Sequence, residues 1–490
     1  MTAKLDTMVP SAAPVRRPVP PGASNTQGPT EAQKLARAEA AARSAELHKA
    51  LCARWETIAA AGGTEAWVLA ELKARGLYTP PPGPEGVSDK DRATYKARKK
   101  AEAVERKALG KLAWAAYRAT HIVHLGQEVH WDEREGPDAL DRPDRAAVLA
   151  QSGLAPVETP KALAEALGVT IPALRWFAFH RLVDAGTHYR RWQIAKRDGG
   201  LRTITSPRSS LKKHQRWILR NVAERLPVHG AAHGFLAGRS IVTNATVHAG
   251  AATVVKVDLQ DFFPSVGWRR VKGLLRAAGY PEKVATLLSL VCTEAPRDAV
   301  EFRGKTWWVA SGQRGLPQGA PTSPAFTNAL CRKMDRRLSG LARALGFRYT
   351  RYADDLTFSW RPSSDPEAGA HPKAPVAVLL RGVGQIVRGE GFRVHPRKTR
   401  VMHAGGPQIV TGLVVNAPPA GSPAAAARVP RKVRKQLRAA LHNRAPGRTP
   451  KGDETLAQLQ GMAAFVYMTD PKAGRALLDA VAALGGDKTG

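Results

Sequence analysis

Three aspartates have the surroundings needed for phosphoryl-transfer chemistry. The run TVVKVDL, Thr253 to Leu259, alternates so that Val255, Val257 and Leu259 share one face of a strand and Lys256 and Asp258 share the other. A second stretch, YTRYADDLTFSW, joins two β-prone runs at Ala353, Asp354 and Asp355, and a tight hairpin there presents both acids at its tip. A lone acidic pair more often caps a turn. Three carboxylates converging on one point are what two magnesium ions roughly 4 Å apart require, one to activate a hydroxyl and one to hold a triphosphate and its leaving pyrophosphate. Buried together without a cation they would repel one another, so a purely structural role is the costlier reading.

The segment between these strands reads GLPQGAPTSPAFTNALCRKMDRRL. Gly315, Pro317, Gly319 and Pro321 enforce a turn, Ser323 is placed to cap a helix entered by Pro324, and Phe326, Leu330, Met334 and Leu338 give one helix a buried stripe. The loop then hangs beside the acidic strands with Gln318 open to a nucleotide, a structural turn being the alternative.

These parts need a scaffold. From Tyr189 to Asn416 strand-like runs alternate with amphipathic helices, which predicts an α+β catalytic domain, interrupted by low-complexity stretches at Pro362 to Pro375 and Ala417 to Ala427. Residues 1–30 are rich in Pro, Ala, Ser and Thr and are expected to form a disordered tail. Helical spacing of Leu51, Trp55, Ile58 and of Trp67, Leu69, Leu72 predicts helices in the next ninety or so residues. There, Tyr95 to Arg118 begins with Lys96, Arg98, Lys99 and Lys100 and ends with Leu109, Leu112, Trp114 and Tyr117, a pattern that suits either a solvated face or contact with RNA. Residues 160–182 read as two short helices around Gly168 in the manner of a helix-turn-helix. Leu163, Leu167, Leu174 and Phe177 fit core positions there, which favours packing over DNA reading. His121, His124 and His130 lack a fourth ligand of suitable spacing and read as surface or core histidines. At the C-terminal end Val433, Leu437, Ala440 and Leu441 predict a helix packed on a second one carrying Leu456, Leu459, Ala463 and Val466. Arg431, Lys432, Arg434, Lys435 and Arg438 are left facing outward, with His442, Asn443 and Tyr467 nearby as candidate base readers.

Composition narrows the partners. The 75 Lys and Arg against 41 Asp and Glu leave a formal charge of +34, which attracts a polyanion and releases its counterions. Nucleic acid is the expected partner and membrane is not, since no run approaches the ~18 apolar residues of a spanning helix. Met1 to Val15 carries no apolar core of a signal peptide, and Cys52, Cys292 and Cys331 stand far apart, so a reducing cytoplasm is expected.

In order and spacing, VKVDLQDFFPSV, GLPQGAPTSP and YADDLTFS resemble the core blocks of reverse transcriptases. Asn244, Ala245 and His248 in NATVH, with Val410, Thr411 and Gly412 in VTG, resemble the two signature motifs of retron reverse transcriptases, and the long N-terminal extension is similar to that of the myxobacterial type. The resemblance implies a right-hand polymerase with palm, fingers and thumb, plus a helical N-terminal extension. The expected divisions are a tail over 1–30, a basic helical extension over 31–150, fingers and palm over 160–420, and a thumb with an RNA-recognition region over 421–490.

The same resemblance implies roles. Asp258, Asp354 and Asp355 match the catalytic ligands of two Mg2+ ions. Phe263 matches the steric gate against a ribose 2′-hydroxyl, and Lys196 and Arg202 match the fingers residues that hold the incoming triphosphate. Gln318 matches a residue of the deoxynucleotide pocket. Lys398 matches a lysine that protonates the pyrophosphate or contacts a phosphate, and Thr411 to Asn416 match a hairpin at the primer end. The implied reaction copies a structured retron noncoding RNA from an internal guanosine 2′-hydroxyl into branched RNA-DNA, or msDNA, with deoxynucleoside triphosphates as substrates. Implied partners are the RNA-DNA hybrid product, a host RNase H and a separate effector protein, in antiphage defence. Alternatives are a group II intron-like or diversity-generating reverse transcriptase, or a nucleic-acid-binding module with a decayed polymerase core.

Overall fold

A computed structural model describes residues 30–82, 86–88, 90–134, 136–195, 199–362, 373–417, 427–444 and 454–484, the side chain of Arg37 excepted. The expected tail lies outside the described residues except for Thr30, and so does most of each low-complexity stretch. The chain divides after Thr120 into two compact units.

The first unit contains helices α1 (Glu31–Ala60), α2 (Thr64–Ala74) and α3 (Arg92–Thr120). Thr30 closes a capping box with Gln33, which satisfies otherwise orphaned amides at the start of α1. Ile58, Trp67, Val68, Leu72, Leu109, Ala113 and Ala116 form its core. The apolar end of α3 is not all buried, because Leu112 and Trp114 face solvent.

The second unit starts earlier than expected. The extension is expected to run to residue 150, yet Ile122, Leu125 and Leu149 join the main core of the second unit, so α4 (Arg145–Ser152) belongs here. Helices α5 (Pro160–Leu167) and α6 (Ile171–Ala178) bury Leu163, Leu167, Leu174 and Phe177 in that core, the packing role their spacing suggested. Strand β1 (Val183–Asp184) precedes the antiparallel hairpin β2 (Tyr189–Ala195) and β3 (Leu201–Pro207). Helices α7 (Ser209–Asn221) and α8 (Ile241–Thr246) lead to β4 (Thr253–Asp258). After α9 (Trp268–Ala277) and α10 (Glu282–Cys292), β5 (Arg297–Phe302) and β6 (Lys305–Ala310) complete a three-stranded sheet with β1.

One helix was expected next, with Ser323 as its cap. The chain instead breaks at Cys331 into α11 (Ser323–Leu330) and α12 (Arg332–Ala344), and the Ser323 hydroxyl donates to the Pro317 carbonyl at 2.7 Å, tying down the preceding loop. Phe326, Met334 and Leu338 are fully buried across the break, whereas Leu330 is only partly so. The hairpin β7 (Phe347–Tyr352) and β8 (Asp355–Trp360) follows, then α13 (Val376–Gly389) and β9 (Arg400–His403). Four strands make the central sheet in the order β7-β8-β4-β9, every neighbour antiparallel.

Both faces of β4 are covered. Val255, Val257 and Leu259 enter the main core, while Val254 enters a second core built with the C-terminal elements. Those elements are the short hairpin β10 (Ile409–Val410) and β11 (Leu413–Val414), then α14 (Arg431–Asn443), α15 (Leu456–Tyr467) and α16 (Pro471–Ala483). Leu437, Ala440, Leu459, Ala463 and Val466 pack as their spacing predicts, but Leu456 faces solvent because it opens the first turn of α15. The second core also takes Ala245, Val410, Leu413 and Val415, so its members begin well before residue 421. No helix among the described residues is long and apolar enough to cross a membrane.

Candidate active site

The register of the central sheet brings the three aspartates to one end. Asp258 on β4 stands opposite Asp355 on β8, and the Leu259 amide donates to the Asp354 carbonyl at 3.0 Å. Asp354 occupies the two-residue turn between β7 and β8, where Ala353 takes a positive φ of 54°. That backbone suits a hairpin turn but costs an alanine ~1 kcal/mol, so neighbouring contacts must hold it.

Charge at this end is unbalanced. Burial first, then the negative charges of Asp258 and Asp355, push the Asp354 carboxyl up to about 6. Lys398 Nζ lies 3.2 Å from Asp258 Oδ1 and Lys256 Nζ lies 3.3 Å from Asp355 Oδ2. No three His, Cys, Asp or Glu side chains among the described residues stand together as a metal cluster. The donors nonetheless fit a hard divalent ion, since all are carboxylate oxygens and a cation would relieve the repulsion that raises Asp354.

A buried network fixes the turn. Arg351, fully buried on β7, makes a two-pronged ion pair with the equally buried Asp335 of α12, at 2.8 Å for the closest contact. Its guanidinium also donates to Asn328 Oδ1 at 2.9 Å and to the Ala353 carbonyl at 3.2 Å, and the Tyr349 hydroxyl donates to Asp335 at 2.8 Å. On the other side the backbone at Gly234 lies so close that a Cβ would approach the Ala353 nitrogen to 2.7 Å. Only glycine permits that contact. The Asn328 side-chain amide donates to the Gly234 carbonyl at 2.9 Å, closing the cage.

The residues expected to bind a nucleotide have their own local supports. Phe263 is half-buried against Phe262, with ring centroids 5.4 Å apart, and meets Phe235 edge-on at 6.3 Å. The Thr205 amide of β3 donates to the Gln318 carbonyl at 2.8 Å, fastening the LPQG loop to the β2-β3 hairpin. Gly319, at φ 124°, makes the approach possible, since a Cβ there would sit 3.0 Å from both the Thr205 oxygen and Ile204. Arg202 is exposed on β3 opposite Ile194. Lys196 lies outside the described residues.

The two short motifs meet. The Asn244 side-chain amide reaches Thr411 Oγ1 at 3.5 Å, and the Thr411 hydroxyl donates to the Ile241 carbonyl at 3.0 Å. Thr411 and Gly412, at φ 45° and 86°, form the two-residue turn between β10 and β11, with Val410 paired to Leu413. Ala245 and Val410 are buried in the second core. His248 is fully buried, its ring nitrogens 2.7 Å from Ser359 Oγ on β8 and 2.7 Å from Thr350 Oγ1 on β7, so it bridges the two strands of the hairpin that carries Asp354 and Asp355. Burial, with smaller effects from His233 and Arg348, pushes its pKa down to about 3 and keeps it neutral.

Arg431, Lys432, Arg434, Lys435 and Arg438 are all exposed on α14, as the helical pattern required. Asn443 and Tyr467 are each partly exposed nearby, with the Arg475 guanidinium 5.3 Å from the Tyr467 ring centre. His124 packs against Phe179 at 5.3 Å, and the Arg175 guanidinium donates to its backbone carbonyl, a packing role.

Sequence reasoning missed three groups. Phe235 is 58% exposed at a positive φ of 59° and sits between Phe263 and Tyr352, 6.4 Å from the latter. Neither periodicity nor charge marks it. Arg351 and Asp335 are the second omission. An arginine on the buried face of YTRYADD was a usable signal, but its partner on α12 was not. The third is Lys256, whose side of the strand was read correctly but not its contact with Asp355.

The reverse transcriptase (RNA-dependent DNA polymerase) family model matches residues 194–439. The chain is 56% identical over 481 residues to the retron Mx162 reverse transcriptase of Myxococcus xanthus, covering 98% of this chain and 96% of that protein. It is 43% identical over 330 residues to the retron Mx65 reverse transcriptase of the same organism, covering 67% and 72%. The retron Ec86 reverse transcriptase of Escherichia coli matches at 29% over 324 residues, covering 66% and 88%.

Proposed function

Because the chain belongs to the retron reverse transcriptases, and so is an RNA-directed DNA polymerase, we propose that it starts from an internal guanosine 2′-hydroxyl of a structured noncoding RNA and yields branched msDNA. The observation that carries this reading is the junction of Asn244 with Thr411, which ties the NATVH and VTG motifs into one support between the catalytic sheet and the C-terminal helices.

Asp258, Asp354 and Asp355 would hold two Mg2+ ions, which supply activation of the attacking hydroxyl and neutralisation of the triphosphate. Lys398, beside Asp258, adds positive charge for the leaving pyrophosphate. Arg202, together with Lys196, binds the triphosphate from the fingers side, and Gln318 lines the sugar and base pocket. Phe263 excludes a 2′-hydroxyl on the incoming nucleotide. The exposed cations of α14 take phosphates of the RNA, so choice among RNAs rests on stem shape and unpaired loops.

The chain purified with its RNA and supplied with deoxynucleotides should make DNA that remains attached to an RNA remnant after RNase treatment. A nuclease specific for 2′-5′ branches should release it. DNA bearing a free 5′ end, or joined through a 3′-5′ linkage, would rule out this priming. On the family reading the product serves antiphage defence with a separate effector, and a host RNase H removes template. Phage plating with and without Asp354→Asn tests that role.

A further inference from the structure

Helix α3 of the N-terminal unit carries a surface to which no role has been given above. At 3.6 residues per turn, Lys96, Lys100, Lys107, Lys111, Trp114 and Arg118 fall within an arc of about 60°. All six are exposed. The buried residues Glu102, Leu109, Ala113 and Ala116 lie on the opposite side, and Glu105, the remaining acid of α3, also lies off the arc. Five cations therefore run along on the order of 33 Å of one helix face without an acidic neighbour on it.

The aromatic on this stripe is preorganised. The Trp114 ring is stacked on Tyr117, with centroids 5.7 Å apart and planes 19° from parallel, and Tyr117 is in turn held edge-on by Trp55 at 4.9 Å. Trp114 remains 49% exposed. A solvated face needs lysines but has no use for a braced, exposed indole. A flat apolar ring between cations matches the two parts of an unpaired nucleotide, a base to stack and a phosphate to neutralise. A duplex keeps its bases stacked inside and offers the indole nothing.

We propose that this face of α3 binds an unpaired nucleic-acid strand, with a base stacked on Trp114 and the backbone running along Lys96 to Arg118. The idea rests on the polymerase reading only for the strand's source, which is the template RNA or the new DNA.

Binding of the full chain to labelled oligouridylate and oligothymidylate of twenty nucleotides, and to a blunt RNA duplex of that length, is measured across a salt series. Trp114→Ala should weaken single-strand binding about tenfold and spare the duplex, with Trp114→Phe restoring most of the loss. Replacing Lys107, Lys111 and Arg118 by Gln should lower the salt slope on single strands by about 2. Tighter binding of oligouridylate assigns the site to template, and of oligothymidylate to product. Unchanged single-strand affinity and slope, or equal losses on strand and duplex, would overturn the proposal. Extension of a preformed primer-template by the same variants should equal that of the parent, so a parent that cannot extend at all indicts the polymerase reading instead.

Discussion

Asn244 and Thr411 stand far apart in the chain, yet the side-chain amide of one reaches the hydroxyl of the other at 3.5 Å, and Asn244 Oδ1 is buried with no hydrogen-bond partner. The contact is long, so its energy is small. Thr411→Val should cost ~1 kcal/mol in urea unfolding. Asn244→Asp should cost ~3 kcal/mol or more, because it puts a charged carboxylate where a fully buried neutral amide stands. An Asn244→Asp variant as stable as the parent would contradict the buried junction.

Phe263 is braced by Phe262 and Phe235. Phe263→Ala should lower discrimination against ribonucleotides by about tenfold or more, since a clash of ~2 kcal/mol is worth about thirtyfold. Phe235→Ala removes only lateral support and should give a smaller drop. Single-nucleotide incorporation with paired ribo- and deoxynucleotides measures both. Full discrimination by Phe263→Ala would place the gate elsewhere.

The ion pair between Arg351 and Asp335 is wholly buried. Asp335→Ala leaves the guanidinium uncompensated and should cost ~3 to 5 kcal/mol, with the catalytic turn loosened and polymerisation lost even at temperatures where the protein stays folded. The double change Arg351→Met with Asp335→Leu should recover much of the stability. Urea unfolding of the parent and of both variants separates these outcomes, and a stable Asp335→Ala protein would refute this role of the ion pair.

The sequence made the acidic strand, the YADD hairpin and the LPQG loop legible because each has a local cause: period-two alternation, β-branched runs, or glycine and proline at fixed places. Helix α14 was legible for the same reason. What stayed hidden depended on contacts between distant segments. The break at Cys331, the pairing of Arg351 with Asp335, the position of Phe235 and the passage of Ile122, Leu125 and Leu149 into the main core are decided by tertiary packing, which overrides local preference.

His248 links pH to stability. Its folded pKa is pushed down to about 3 from an ordinary 6.5. Between those values the unfolded chain binds a proton that the folded chain refuses, so stability falls as pH drops below 6.5. From pH 6.5 to pH 5 this amounts to ~2 kcal/mol from this one group. Melting temperatures at pH 7 and pH 5 should therefore differ less for His248→Gln than for the parent. An identical pH dependence would mean that the histidine is not buried neutral.

Asp258 and Asp355 face each other across β4 and β8, with Asp354 beside them in the turn. The most direct measurement is deoxynucleotide incorporation on an RNA template at saturating magnesium by the parent, Asp354→Asn and Asp258→Asn, with RNA binding measured alongside. Both variants should lose incorporation on the order of a thousandfold while binding RNA as the parent does, since the basic face of α14 is untouched. Incorporation within tenfold of the parent by either variant would contradict the assignment of these carboxylates.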